Sequence, residues 1–273
     1  MTLFRPQRQV VNADHRRHRW GRRGLQAALL LAAFATPAAS AEHVVSLNLC
    51  ADQLLVLLAP EKVTALSPLA RDPALSFVAA RAASLPIVRN SAEAVLRLHP
   101  DLVLAGPYGA QTTVALLEAE GLPIQRIDLP QNFAAIRVQT LQLAARLGVS
   151  ERGAALVATM DATLAAVPPR TRPATALAWE PRGYTAGPDT LMDAVLHAAG
   201  LTNASIGQRI GLEALLRHKP DLLVVPRVPD YPSLATDLLR NPAVATIPQR
   251  ALPPALTLCA GPFTAEAVAM LAR

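Results

Sequence analysis

Short apolar runs alternate along this chain with longer stretches of helical spacing. VVSL from Val44, DLVLAG from Asp101 and DLLVV from Asp221 are four to six residues long, and Pro or Gly lies beside them, as expected of strands buried on both faces. Between them apolar residues recur at intervals of three and four, the spacing of a helix with one buried side. Such alternation predicts an α/β fold of mainly parallel sheets covered by helices, and it argues against all-α and all-β architectures.

The pattern occurs twice. Residues 91–106 read SAEAVLRLHPDLVLAG and residues 211–226 read GLEALLRHKPDLLVVP, with identity at seven of sixteen positions, including Glu93/Glu213, Arg97/Arg217 and Asp101/Asp221. Each copy reads as a short helix, a Pro-Asp turn and a buried strand. Matching charges in register predict duplication, and therefore two related lobes. Between the copies, Ile136, Leu141, Leu143, Leu147, Leu156, Val157, Met160 and Leu164 carry helical spacing. Gly148 predicts a break, Ser150 a cap for the second part, and Pro168, Pro169 and Pro173 the end. A long connecting helix joining two lobes would act as a stiff spine. The expected organisation is an N-terminal lobe over residues 42–131, a connecting helical segment over 132–168 and a C-terminal lobe over 169–273, with a ligand cleft between the lobes.

The first 41 residues stand apart. Arg16, Arg17, Arg19, Arg22 and Arg23 precede an apolar run over residues 25–35 and then Ala39-Ser40-Ala41, the layout of a cleavable secretory signal. The run is too short to span a bilayer. The sequence after each arginine pair matches twin-arginine export poorly, so the general secretory route is expected. This segment also changes the meaning of the charge. It holds seven of the 26 basic residues and one of the 20 acidic ones, leaving 19 of each in the remainder. The basic isoelectric point therefore belongs to the leader and is no nucleic-acid footprint. The expected location is the periplasm.

Beyond the leader lie seven aromatic residues, and most fall in loops after strands. Tyr108 follows DLVLAGP, Trp179 ends ATALAW, Tyr184 sits in EPRGYTAGP and Tyr231 in RVPDYPS. Ligands bind at the carboxyl ends of strands in open α/β sheets, and rigid rings suit a bulky macrocycle or chelate. Tyr108, Trp179, Tyr184 and Tyr231 are therefore the candidate ligand contacts, joined by Arg71, Arg182 and Arg227 in comparable loops, which suit carboxylate or phosphate. Phe77 and Phe133 read instead as caps on a core.

Cys50 follows the first strand and Cys259 precedes the last helix. In an oxidising compartment they fit a disulfide, two free thiols facing the cleft, or a catalytic thiol, the last without a supporting motif. Leu47-Asn48-Leu49 lacks the small residue a lipid-anchor cysteine needs before it. His43, His99, His197 and His218 are scattered, without metal-site spacing.

Together these features resemble the helical-backbone periplasmic binding proteins of iron-siderophore, haem and vitamin B12 importers. VVSLNLCADQLLVLLAP is similar to their first strand and helix. EAVLRLHPDLVLAG and EALLRHKPDLLVVP are similar to their paired Glu-(six residues)-Pro-Asp-Leu units, one per lobe. The likeness spans residues 43–273. It implies an exported monomer, without permanent cofactor or nucleic acid, that gives an iron chelate, haem or cobalamin to an ABC permease dimer in the inner membrane. It also implies that Glu93 and Glu213 pair with permease arginines, since one carboxylate per lobe matches a two-fold symmetric partner. No catalysis is expected. The competing expectations are a cysteine-dependent enzyme on a similar scaffold, with Cys50 as nucleophile, and a carrier of a bare metal ion.

Overall fold

The computed structural model describes residues 40–227 and 237–273. The first sheet is ordered β2-β1-β3-β4, with β1 (Val44–Ser46), β2 (Val63–Ala65), β3 (Leu102–Ala105) and β4 (Ile124–Arg126). α1 (Leu49–Leu58), α2 (Ala79–Ala82), α3 (Ala92–Leu96) and α4 (Gln111–Ala119) accompany it. After α5 (Phe133–Arg146) and α6 (Ser150–Ala165) the plan repeats. The second sheet is ordered β6-β5-β7-β8, with β5 (Thr175–Ala178), β6 (Thr202–Asn203), β7 (Leu222–Pro226) and β8 (Gln249–Leu252). Its helices are α7 (Leu191–Ala198), α8 (Leu212–His218) and α9 (Thr264–Ala272). Every strand pair is parallel, so each sheet gathers its carboxyl ends on one edge. This is the α/β, two-sheet fold that the alternation predicts.

The repeated segment has the same physical role in both halves. Asp101 accepts hydrogen bonds from the Glu42 and His43 amides at 2.8 and 3.1 Å, where the chain enters β1. Asp221 accepts from the Thr175 amide and hydroxyl, both at 2.7 Å, where the chain enters β5. These amide and hydroxyl bonds to Thr175 hold the Asp221 carboxyl below the usual carboxylate range. The residues before the two prolines, His99 and Lys219, hold left-handed backbone at φ 48° and 38°. That conformation is uncommon for side-chain-bearing residues. Residues 91–100 and 211–220 also share one order of exposed, intermediate and buried positions. The duplication thus extends from sequence to hydrogen bonding, backbone and burial.

In place of one long connecting helix, the connector is two helices packed on each other and joined by a hairpin turn. Gly148, at φ 68°, donates to the Ala145 carbonyl and Val149 to that of Ala144, the paired bonds of a Schellman C-cap. That motif sets the turn. Ser150 caps nothing, contrary to expectation: Val149 holds the N-cap position and no side chain caps α6. An Arg137–Asp161 ion pair joins the far ends of the two helices, which therefore run antiparallel. α6, 16 residues long and thus about 24 Å, packs on α9 and leads into the second sheet.

The two halves share a hydrophobic core. One buried cluster runs from Val44, Leu54 and Leu104 to Ala176, Val195 and Val268. Cys50 and Cys259 form a disulfide between the first turn of α1 and the segment before α9. Phe77 and Phe263 stack, ring centroids 4.7 Å apart, and the Leu191 amide donates to Gln131 Oε1 at 3.2 Å.

Candidate functional site

The disulfide fixes how the two sheets meet. Cys50 lies just past the carboxyl end of β1 and Cys259 past that of β8, so the bond draws the two carboxyl edges together. The loops leaving those edges therefore border one junction. Asn48 caps α1 there, its side chain accepting from the Cys50 and Ala51 amides. It also lies so close to Gly106 that a Cβ at that position would sit 2.6 Å from Nδ2. Asp52 is buried and accepts from the Ser67 amide and hydroxyl, tying the loop after β2 to α1. Burial pushes its carboxyl up to about 7, against the opposing hydrogen bonds from Ser46 and Ser67. Gln53 Oε1 accepts from the Phe77 amide at 2.7 Å.

Above this floor the loops are apolar and exposed. Of ten exposed large hydrophobic side chains among the described residues, six lie in loops after strands: Leu69, Tyr108, Leu129, Tyr184, Ile206 and Leu258. Scattered exposed hydrophobics need no explanation, but a concentration at one edge does. Tyr108 is 75% exposed. The Arg209 guanidinium stands over the Tyr184 ring at 5.5 Å while its Nε donates to the Arg182 carbonyl at 2.9 Å. Sequence reasoning singles out the two tyrosines but not Leu69, Leu129, Ile206 and Leu258, because isolated leucines and isoleucines carry no signal until the loops are placed.

The other expected contacts fall differently. Trp179 is a correction: it has no exposed surface. Its amide bonds to the Val224 carbonyl, continuing β5, and alternation turns its ring, with Leu177, into the core under α8. Nε1 donates to the Ile210 carbonyl at 3.0 Å. It fills the lobe and takes no part in the site. The Arg71 guanidinium donates to the Ala82 and Leu85 carbonyls, bracing the chain around α2. Arg182 and Arg227 are exposed beyond β5 and β7. Tyr231 lies outside the described residues.

Glu93 and Glu213 occupy the second position of α3 and α8. Both helices run back against their strands, so their amino ends lie on the carboxyl edges of the sheets. Both glutamates are exposed, and Glu93 pairs with Arg97 one turn on. Among the described residues no group of three His, Cys, Asp or Glu side chains is placed to hold a metal ion.

The family model for periplasmic binding proteins matches residues 44–249. The chain belongs to that family, whose members are binding proteins of transport systems rather than enzymes. A solved structure of a periplasmic haem-binding protein, RhuT from Roseiflexus sp. RS-1, is 27% identical with a TM-score of 0.68, covering 86% of this chain and 97% of that one. The periplasmic vitamin B12 binding protein BtuF of Vibrio cholerae shares the fold at 18% identity, with a TM-score of 0.61 and coverage of 85% and 95%. A curated cobalamin-binding protein of Halobacterium salinarum is 29% identical over 150 residues, 50% of this chain. The match spans 40% of that relative's length.

Proposed function

We propose that this protein is the periplasmic substrate-binding component of an ABC importer and that it captures a metal chelate, a ferric siderophore, haem or cobalamin, in the cleft between its lobes. The observation that carries the reading is the collection of exposed apolar side chains on the carboxyl edges of both sheets, with Tyr108 offered by one lobe and Tyr184 by the other. Exposed apolar side chains with arginines in the same loops suit a large chelate better than a bare ion or a small polar solute. The haem- and cobalamin-binding relatives support the same class of cargo. In this reading residues 1–41 are a cleaved leader, residues 42–131 and 169–273 are the lobes, residues 132–168 join them, and the carrier is a monomer. Glu93 and Glu213 dock on the permease, one from each lobe.

The test is calorimetric titration of the exported protein with haemin, cyanocobalamin and a panel of ferric siderophores. Saturable binding of one chelate, and none of its free metal, is expected. Absence of binding to every chelate would overturn the reading. The combined Glu93→Ala and Glu213→Ala variant should keep its chelate affinity and lose uptake in cells. Weakened chelate binding in that variant would remove the docking assignment.

A further inference from the structure

The two lobes can be superposed by register, and one position then has no internal explanation. Val44 pairs with Leu102 as Ala176 pairs with Leu222. Beyond the strands, the Leu47 amide bonds to the Leu104 carbonyl as that of Trp179 bonds to Val224. Asn48 therefore corresponds to Glu180. Asn48 has work inside the fold, as the cap of α1. Glu180 has none. The helix that follows it, α7, starts later and brings its own cap, Thr190.

Glu180 is partly buried, and among the described residues its carboxylate has neither a hydrogen-bond nor an ion-pair partner. Burial alone raises its pKa, with no compensating group. Strand alternation sets it on the face of Ala176 and Ala178, opposite Trp179. That face belongs to the core shared with Cys259, Phe263 and the N-terminal lobe. Its oxygens still reach water, since the enclosed side-chain polar atoms without a partner among the described residues are Gln53 Nε2, Ser76 Oγ and Thr140 Oγ1. A cargo that displaces that water must supply the donor in its place.

We infer that Glu180 is a specificity-determining contact of the cleft, accepting hydrogen bonds from N–H or O–H donors of the cargo and so selecting a carboxamide-bearing corrinoid over a porphyrin with carboxylate arms. The inference rests on the chelate-carrier reading. A porphyrin carboxylate brought to Glu180 would meet a like charge or force a proton onto one of the two groups. A carboxamide N–H meets a strong acceptor. Arg182 and Arg209, in the loops beside Glu180, suit the phosphodiester that a complete corrinoid also carries.

The experiment compares wild type, Glu180→Gln and Glu180→Ala by calorimetric titration with cyanocobalamin and with haemin, alongside the thermal midpoint of each unliganded protein. Wild type is expected to prefer cyanocobalamin. Glu180→Ala should weaken that binding about tenfold, equivalent to about 1.4 kcal/mol, without lowering the midpoint. Glu180→Gln, which keeps an acceptor and drops the charge, should retain most cyanocobalamin affinity and gain affinity for haemin. A lowered midpoint with unchanged cyanocobalamin affinity would make Glu180 structural and overturn the inference. Preference of wild type for haemin would overturn it as well, while leaving the carrier reading intact. Binding of no chelate by wild type would bring down both.

Discussion

The two lobes agree at the amino ends of their strands and differ at the carboxyl ends. Asp101 and Asp221 each hold the entry to a central strand, and His99 and Lys219 share a left-handed turn. At the opposite edge Leu47 corresponds to Trp179 and Asn48 to Glu180. In one lobe the edge is closed by a helix cap and by the Asp52 clasp on Ser67. In the other a tryptophan has entered the core and the Glu180 carboxylate is left without a partner among the described residues. A duplicated scaffold keeps what assembles it. Divergence is concentrated where the lobes face each other, the edge at which open α/β sheets bind ligands.

The largest expected effect comes from breaking the link between the lobes. The Cys50–Cys259 bond joins residues separated by 209 positions, and cutting so long a loop frees much of the unfolded chain. A Cys50→Ser, Cys259→Ser variant should lose about 5 kcal/mol, read as a fall in the denaturant midpoint. A second shoulder in the unfolding curve would show that the disulfide, more than the shared core, makes the lobes unfold together. Next comes the contrast between two aromatics five residues apart. Trp179→Ala should cost about 3–5 kcal/mol, because it leaves a cavity in a closed core. Tyr184→Ala should change stability by less than about 0.5 kcal/mol and weaken chelate binding by about tenfold. Equal stability losses would erase the distinction between core and rim.

How much of this could be read from the sequence follows from the kind of signal each feature leaves. The sheets, the duplication and the helical connector are written in runs and periods that survive without tertiary contacts. Tyr108 and Tyr184 stood out because aromatic residues are scarce beyond residue 41. Trp179 misled for the same reason: its place at the end of ATALAW looks like a loop, and only the bond to Val224 shows that β5 continues through it. Cys50 and Cys259 were visible as a pair, but their spacing left three chemistries open. Asp52 had a faint signal, a charge inside the apolar helix LCADQLLVLL. Glu180 had none, since its significance lies in a comparison of register with Asn48 that requires both sheets.

Asp52 and Glu180 bring that comparison to its finest point. Both are carboxylates near a strand's carboxyl end, Asp52 buried and Glu180 partly so, and burial raises the pKa of each; of the two, only Asp52 has side-chain hydrogen-bond partners among the described residues. Asp52 holds its proton to about pH 7 in the fold, against 3.8 for its ordinary value. Between those values the folded state binds the extra proton, so stability falls as pH rises through that window and levels off above it. Asp52→Asn can still accept from the Ser67 amide and offers N–H to the hydroxyl, without a charge to bury. It should flatten the profile and raise stability at pH 8 by on the order of 2 kcal/mol, measured by denaturant unfolding at pH 5 and pH 8. Its effect on chelate affinity should be small, because Asp52 acts behind the loop it holds. Glu180→Gln should do the reverse, moving chelate selectivity more than stability. If Asp52→Asn altered selectivity as strongly, the cleft would extend beneath the β2 loop, and the N-terminal lobe would contribute its own buried carboxylate to the site.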